Sequence, residues 1–223
     1  MKNAHGRKDG EYGRPGCLRC GRAGQRDILA VEPMLKESED TYLLLFRSLQ
    51  ERGLRIPRLV IFDAHSGLVA AIRKGFPGAS WRRCKVHFMR NILAHVPHKE
   101  KNAFAQQLKA IWLAPTREQA YRQAEQYERR FSKAIRCLEA GLEYSLAFYA
   151  FPKLDARKIS YTNMLERLNR EIRRRTNVVG IFPNPEVYTR LVTTYLMEYA
   201  EDWASFRAYL CERSIQTLLS PAA

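Results

Sequence analysis

Arg58-Leu59-Val60-Ile61-Phe62-Asp63 is the stretch that decides the fold. Residues 58–62 are nearly all apolar, which predicts a short parallel strand buried on both faces of a sheet. Asp63 follows at the carboxyl end of this strand, where ligands and catalytic groups of open α/β sheets gather. An Asp in this position could equally cap the next helix. The stretch therefore predicts an α/β fold with one candidate catalytic carboxylate, and the capping alternative stays open.

The segments on either side of this strand alternate between strand and helix. Upstream, residues 28–32 predict a strand and residues 38–53 predict a helix with apolar residues at helical spacing. Downstream, residues 67–75 predict a short helix and residues 80–88 predict a third strand. Its alternation places three apolar residues on one side: Cys84, Val86 and Phe88. Strand, helix, strand, helix, strand is α/β organisation.

The rest of the chain predicts helices, apart from its beginning. Residues 88–150 carry helical patterns and no strand signal. Residues 163–176 predict a strongly basic helix, Asn184 is placed to cap the helix after it, and a last helix should run from about 202 to 218. Residues 1–24 contain six glycines among basic residues and predict a poorly ordered segment without a strand.

The charge of the chain points to a polyanionic partner. Lys and Arg number 38 against 23 Asp and Glu, which gives a formal net charge of +15. Such a field raises the local concentration of DNA or RNA, and binding releases counterions. A basic protein with no nucleic-acid role and a protein on an anionic membrane are the alternatives. Hydrophobic residues at 46 % and charged residues at 27 % are typical of a folded globular protein.

The sequence also bears on location. It contains no run of about 18 apolar residues that would span a membrane. Its first residues lack the apolar region of a secretory signal. We therefore expect a cytoplasmic, nucleoid-associated protein whose five cysteines are reduced.

The basic helix contains a second candidate carboxylate, Glu166. Leu165, Leu168 and Ile172 form an apolar stripe at helical spacing, and Glu166 lies one residue, about 100°, round the helix from it, at its border. An ordinary ion pair with the arginine four residues on is one interpretation. A metal-binding carboxylate flanked by phosphate-holding arginines is the other. The candidate DNA-binding residues are Arg167, Arg170, Arg173, Arg174 and Arg175.

Four motifs follow one another along the chain. They are Phe62-Asp63-Ala64-His65-Ser66-Gly67-Leu68, then Cys84-Lys85-Val86-His87-Phe88-Met89-Arg90-Asn91, then Thr162-Asn163-Met164-Leu165-Glu166-Arg167-Leu168-Asn169-Arg170-Glu171-Ile172-Arg173-Arg174-Arg175-Thr176, then Val179-Gly180-Ile181-Phe182-Pro183-Asn184. Each is weak alone. Together and in this order they resemble the signature of the mutator-type transposases of bacterial insertion sequences. The resemblance covers roughly residues 25–220.

This resemblance implies a ribonuclease-H-like core with an Asp-Asp-Glu triad, in which Asp63 is the second acid and Glu166 the third. The two carboxylates would hold Mg²⁺ or Mn²⁺, since such ions prefer hard oxygen ligands. Two ions about 3.5 to 4 Å apart activate the attacking oxygen and stabilise the leaving one. The implied partners are DNA, at the terminal inverted repeats of the element and at the target, and further copies of the chain.

The long separation of Asp63 and Glu166 matches a helical insertion in the family's core. The Cys84-x2-His87 pair resembles a feature near the start of that insertion. Two ligands do not make a zinc site, so we interpret Cys84 as core packing and His87 as a candidate neighbour of the active site or of DNA. The expected organisation is a poorly ordered or unrelated segment at 1–24, core at 25–88, helical insertion at 89–152, and core with C-terminal helices at 153–223.

One departure from the family concerns the first Asp of the triad. The family places it on a strand that precedes the segment matching residues 28–32, and residues 1–24 offer no match. The expected fold is therefore a partial ribonuclease-H-like core with three strands remaining, in a truncated copy. Strand 28–32 should then lack its neighbours, leaving backbone groups unpaired.

Three functional hypotheses remain. The first is a DNA transposase that cleaves and joins DNA with a divalent metal, although this fragment by itself would be inactive. The second is a catalytically inactive, basic DNA-binding remnant. The third is another ribonuclease-H-like nuclease, which would hydrolyse DNA without joining it.

Overall fold

The structure is a computed structural model and describes residues 7–8, 16–21, 23–32, 37–127, 131–160, 162–205 and 208–219. In chain order its strands are β1 (Arg7–Lys8), β2 (Gly16–Cys20), β3 (Arg26–Val31), β4 (Leu59–Phe62), β5 (Ser80–Arg83) and β6 (Ile181–Phe182). Its helices are α1 (Glu39–Glu51), α2 (Ser66–Gly75), α3 (Lys85–Leu93), α4 (Lys101–Leu113), α5 (Arg117–Glu125), α6 (Ser132–Ser145), α7 (Asn163–Thr176), α8 (Pro185–Ser205) and α9 (Glu212–Leu219). The predicted mixture of strands and helices is confirmed, and helices predominate.

The chain divides into two compact units. The central unit consists of Pro57–Ala64 and Ala79–Thr162. The terminal unit consists of Met1–Ile56, His65–Gly78 and Asn163–Ala223.

The central unit is built on the predicted parallel strand pair. β4 pairs with β5 from Leu59 opposite Ser80 to Phe62 opposite Arg83. The Cys84 N–H continues the ladder by donating to the Phe62 carbonyl at 2.9 Å. Phe62 is buried, and its ring stacks on Trp81 with centroids 5.0 Å apart. The strand predicted at 58–62 is thus confirmed over residues 59–62, and the hydrogen-bonded ladder holds the backbone that leads to Asp63.

The predicted strand at 80–88 is wrong beyond Arg83, because the chain turns there into α3. Cys84, Phe88 and Ile92 are all fully buried. Their spacing of four residues puts them on one face of a helix. An alternation of apolar residues at 84, 86 and 88 spans too few positions to distinguish a strand from the first turns of such a helix.

Helices α3 to α6 form the rest of the central unit. Their core includes Phe104, Leu108 and Leu138, each at most 2 % exposed. The Trp112 indole N–H donates to the Ser145 hydroxyl at 3.1 Å, which ties α4 to α6 inside this core. The predicted helical content of residues 88–150 is therefore confirmed for the described residues, while positions 128–130 of that stretch lie outside them.

The chain returns to the strand pair at the end of the helical block. Arg82 is fully buried, and its guanidinium donates to the Ser160 hydroxyl at 2.8 Å while lying 4.4 Å from the centroid of the Phe148 ring. The Lys85 N–H donates to the Ser160 carbonyl at 3.1 Å. The Cys84 sulfur lies 3.2 Å from the Thr162 hydroxyl oxygen. These contacts fasten Ser160 and Thr162 to the end of β5.

In the terminal unit, α1 packs on α2. Ser38 caps α1 in a capping box with Thr41. The backbone N–H groups of these two residues, which lack partners within the helix, thereby donate to each other's side chains. The face of α1 turned to the core carries the predicted apolar residues, and Phe46 packs against Phe76 with centroids 4.7 Å apart. Helices 38–53 and 67–75 are thereby confirmed.

The prediction that strand 28–32 lacks a neighbour, and that residues 1–24 contribute no strand, is wrong. β2 pairs antiparallel with β3, from Gly16 opposite Val31 to Cys20 opposite Arg26. The connecting turn is closed by the Gly21 N–H on the Gln25 carbonyl at 2.9 Å. Backbone hydrogen bonds make this pairing, and the few apolar residues of the segment gave no sequence signal for it. Most other residues before Gly16 lie outside the described part of the chain.

A second apolar core of the terminal unit joins α7 to α8. Its buried residues are Leu168, Ile172, Phe182, Tyr188, Val192 and Leu196. The Asn184 side-chain oxygen accepts the Val187 N–H at 2.9 Å, as its predicted capping role requires. Ile28 and Val31 of β3 pack against this core. The core thus fixes α7 within its unit.

The predicted last helix, 202–218, is also wrong. α8 continues to Ser205, because Leu196 and the buried Trp203 carry its apolar stripe onward. A separate helix, α9, begins at Glu212. Between them the Tyr209 N–H leaves the helical pattern and donates to the Gly24 carbonyl at 2.8 Å. None of the helices in the described part of the chain combines the length and the apolar character needed to span a lipid bilayer.

Candidate functional site

Asp63 lies where the sequence predicts it, directly after β4 at the carboxyl end of the parallel pair. Its side chain is half-buried, and one carboxylate oxygen accepts the Ala64 N–H at 2.8 Å. The N-cap of α2 is His65, which makes no side-chain capping hydrogen bond. The capping alternative for Asp63 is therefore wrong, and the carboxylate stands at an edge of the sheet typical of catalytic groups.

Arg83, at the end of β5, is a neighbour of Asp63 that the sequence reasoning missed. Burial lowers the pKa of the Arg83 guanidinium, and the charges of Cys137 and Asp63 raise it in return. The guanidinium lies 4.2 Å from the centroid of the Phe88 ring, which supports it by a cation–π contact. The signal that could have identified Arg83 is a basic residue at the end of β5, the strand that pairs with the one before Asp63.

Lys85 adds a second cation close to the same strand end. Burial lowers the pKa of its ammonium group, and the nearby charges of Arg82 and Lys109 lower it further. The ammonium nitrogen lies 5.1 Å from the centroid of the Trp112 ring. The strand end that carries Asp63 is therefore a basic environment, suited to an anionic substrate.

Cys84 and His87 lie at the start of α3. Cys84 is fully buried in the core of the central unit, which agrees with its interpretation as core packing. His87 is half-buried in the first turn of the helix. Its role beside an active site or DNA stays a prediction.

Glu166 lies in the first turn of α7, whose bounds match the prediction. Its side chain is half-buried, next to the buried stripe of Leu168 and Ile172, so it stands at the border between core and surface. Further along this helix, Arg174 forms an ion pair with Glu171 at 2.9 Å. A Glu at this border can present its carboxylate to a ligand while its backbone stays in the helix.

The five candidate DNA-binding arginines are all exposed on α7. They are Arg167, Arg170, Arg173, Arg174 and Arg175. Arg175 also lies 4.7 Å from the centroid of the Tyr195 ring on α8, which orients it. The helix thus presents a row of guanidinium groups of the kind that binds phosphates.

Asp63 belongs to the central unit and Glu166 to the terminal unit. The meeting of the two carboxylates around a cation stays a prediction.

Comparison with known proteins decides the family. The model of the family described as Transposase, Mutator family matches residues 19–205. The chain belongs to the mutator family of transposases. The matched range includes Asp63, the Cys84–His87 pair and all of α7. The resemblance read from the four sequence motifs is thereby confirmed.

Several insertion-sequence transposases are similar to the chain over most of its length. The transposase for insertion sequence element IS256 in transposon Tn4001 of Staphylococcus aureus is 39 % identical over 194 residues, which cover 84 % of the chain and 50 % of that relative. The transposase for ISRM5 of Rhizobium meliloti is 39 % identical over 193 residues, covering 84 % and 48 %. That for IS1081 of Mycobacterium tuberculosis is 40 % identical over 194 residues, covering 84 % and 46 %. The chain spans about half the length of these relatives.

Proposed function

We propose that the chain carries part of the catalytic region of an insertion-sequence transposase, which cleaves DNA and transfers its strands with a divalent metal ion. The observation that carries the proposal is Asp63 at the carboxyl end of the parallel pair, in a chain of the mutator family. A partial ribonuclease-H-like core, assembly of several copies, and action on the inverted repeats of an element belong to the same proposal. They follow from the family resemblance.

Two half-buried carboxylates suit a hard divalent cation. Asp63 and Glu166 are both half-buried residues, and carboxylate oxygens are the ligands that Mg²⁺ and Mn²⁺ prefer. Asp63 and Glu166 would hold the ion, which would supply Lewis acidity for in-line attack on phosphorus.

The other residues of the proposed site bind and orient the DNA. The exposed arginines of α7 hold phosphates by charge-assisted hydrogen bonds beside Glu166. Arg83 and Lys85 add positive charge at the strand end that carries Asp63, where they draw a phosphate towards the carboxylate. Burial of these two cations on aromatic rings strengthens their interaction with an anion, because the local dielectric is lower than that of water.

The first Asp of the triad that the family resemblance implies has no counterpart among residues 1–223. We therefore expect the polypeptide 1–223, tested by itself, to bind DNA without cutting it. Cleavage or joining of an element-end duplex by this polypeptide in Mg²⁺, abolished by Glu166→Gln, would contradict this expectation.

Metal binding tests the proposal directly. Mn²⁺ titrated into the polypeptide 1–223 should bind, and Asp63→Asn or Glu166→Gln should each weaken binding about tenfold or more, a loss of about 1.4 kcal/mol. Calorimetry measures the affinity. The matched control is Glu139→Gln, an exposed carboxylate on α6, which should leave it unchanged. Equal affinity in all four proteins would refute the paired-carboxylate site.

A second candidate function is metal-independent DNA binding by a catalytically inactive protein. The exposed arginines of α7 favour it, since they lie on one helix of one unit and need no cation to assemble. Chelation separates the two candidates. DNA affinity unaffected by EDTA, together with absence of Mn²⁺ binding, would support the second.

A further inference from the structure

The loop after α7 exposes apolar side chains next to the arginines. Val178 is 85 % exposed, Val179 48 % and Ile181 55 %. We call these three residues the apolar tip. Single exposed apolar residues are ordinary, but three within four positions form a patch that water solvates poorly and that commonly marks a binding surface.

The apolar tip is firmly anchored at both ends. On one side Thr176 is buried, and its hydroxyl donates to the Ile172 carbonyl at 3.0 Å. On the other side Phe182 is fully buried and packs edge-on against Tyr188, with centroids 5.2 Å apart. The exposed residues therefore project from two fixed points of the α7–α8 core.

The backbone of the apolar tip is also held in a defined turn. The Val179 N–H donates to the Thr176 carbonyl at 3.0 Å, and the Ile181 N–H donates to the Val179 carbonyl at 2.9 Å. Gly180 has a φ of 76°, which an L residue adopts only with strain. A preformed turn can present its side chains to a ligand with a small loss of conformational entropy.

The surroundings of the apolar tip indicate what it binds. Arg173, Arg174 and Arg175 immediately precede it and are all exposed. One of the three, Arg174, is paired with Glu171, and the net charge next to the tip stays positive. Three adjacent cations are unfavourable beside an apolar protein partner but complement a phosphate backbone. DNA offers both components, since its phosphates lie beside apolar base faces.

We infer that the apolar tip inserts Val178 between bases of the DNA held by α7, and that it therefore binds distorted DNA in preference to a regular duplex. This inference rests on the DNA binding proposed above. Apolar wedges unstack base steps at a cost of a few kcal/mol, which contacts on the bent DNA repay. The cost is smallest at a mismatched or damaged step, where stacking is already weak. A preference for such steps is the expected signature.

The experiment compares a perfect duplex with one that has a single mismatch, both with 2-aminopurine beside the test position. Wild-type 1–223 should bind the mismatched duplex about tenfold more tightly, equivalent to 1.4 kcal/mol, and raise the 2-aminopurine fluorescence by unstacking it. Val178→Ser should lose both effects while keeping its affinity for the perfect duplex. Because Val178 is 85 % exposed, the substitution should leave the fold intact, which circular dichroism verifies.

Two further variants isolate the role of apolar insertion. Val178→Leu keeps an apolar side chain and should retain the preference for the mismatch. Leu113→Ser removes a residue that is 76 % exposed on α4, in the other unit, and should behave as wild type. Loss of the preference in Leu113→Ser would overturn the inference.

The outcomes distinguish this inference from the proposed function. If wild-type 1–223 binds neither duplex, DNA binding itself is refuted. If it binds both but Val178→Ser retains the preference and the fluorescence change, only the insertion is refuted. If Val178→Ser instead abolishes self-association in sedimentation velocity and leaves DNA binding unchanged, the apolar tip is a contact between copies of the chain, and the inference is overturned.

Discussion

Gly141, in the middle of α6, leaves room for two side chains that pack against the helix. A Cβ at this position would lie 2.7 Å from Phe88 Cε2 and 2.8 Å from Phe88 Cζ, and it would also strike the Arg83 guanidinium. The Phe88 ring is fully buried and cannot yield without disturbing its neighbours. The absence of a side chain at Gly141 thus determines where Arg83, the neighbour of Asp63, can lie.

This crowding reverses the usual effect of alanine in a helix. Replacing a mid-helix glycine by alanine normally stabilises by about 0.8–1 kcal/mol. Gly141→Ala should instead lower the free energy of unfolding by about 1–3 kcal/mol through overpacking. Urea denaturation measures the change. Glu139→Ala, exposed on the same helix, is the control and should change stability by about 0.5 kcal/mol or less. A more stable Gly141→Ala protein would refute the packing described for Phe88.

Among the elements, α7 was the one that the sequence predicted best. Leu165, Leu168 and Ile172 recur at helical spacing, and charged residues fill the opposite face, which together give a clear helical signal. The strand after α2 was predicted too long, because a few alternating residues fit both a strand and a helix. β2 was missed because its pairing with β3 depends on backbone hydrogen bonds, which leave no pattern in the side chains.

The candidate site was predictable to a similar degree. The position of Asp63 follows from a local pattern, an apolar strand followed by an acid. The contributions of Arg83 and Lys85 depend on the Phe88 and Trp112 rings, which belong to elements that only folding brings together. The sequence could therefore suggest the carboxylates and the arginine-rich helix, but not the cations supported on aromatic rings.

The exposed arginines of α7 give a prediction that belongs to the whole helix. If Arg170 and Arg173 each neutralise one phosphate, the double variant Arg170→Gln/Arg173→Gln should release fewer counterions on binding DNA. The slope of log affinity against log salt should then decrease in magnitude by about 2, roughly 1 for each lost contact. Fluorescence anisotropy over a series of salt concentrations measures this slope.

Arg136→Gln on α6 is the matched control, since it removes an exposed arginine outside α7. It should leave the slope within about 0.5 of the wild type. An equal decrease in the control would mean that binding follows the net charge of the chain, with no particular role for α7.

For the whole molecule, net charge should govern how stability depends on salt. The chain carries a formal charge of +15, so its charges repel one another in the folded state. The ion pairs Arg117–Glu143 and Arg157–Asp155 each include a side chain at least 70 % exposed. Such surface pairs contribute about 0–1 kcal/mol each. Screening of the repulsion should therefore outweigh screening of the attractions.

We accordingly expect the midpoint of thermal unfolding to rise as NaCl increases from about 10 mM to about 150 mM, which shortens the Debye length from about 30 to about 8 Å. Each kcal/mol gained raises the midpoint by about 2–4 °C in a chain of this size. Differential scanning fluorimetry measures it. KF should act like NaCl if screening is the cause, whereas a fall in the midpoint with both salts would show that ion pairs dominate.

The fastening of Ser160 and Thr162 to the end of β5 bears on where the chain can accommodate inserted residues. The chain leaves the strand pair at Cys84 and returns to it at Ser160. The two ends of the intervening helical segment therefore lie close together. Residues inserted in the loop around Pro115 would lengthen this helical segment without displacing the backbone of Asp63. This loop should therefore tolerate insertions, because it lies away from the Asp63 carboxylate. A small reporter domain inserted there would leave the hydrogen bonds between β4 and β5 undisturbed.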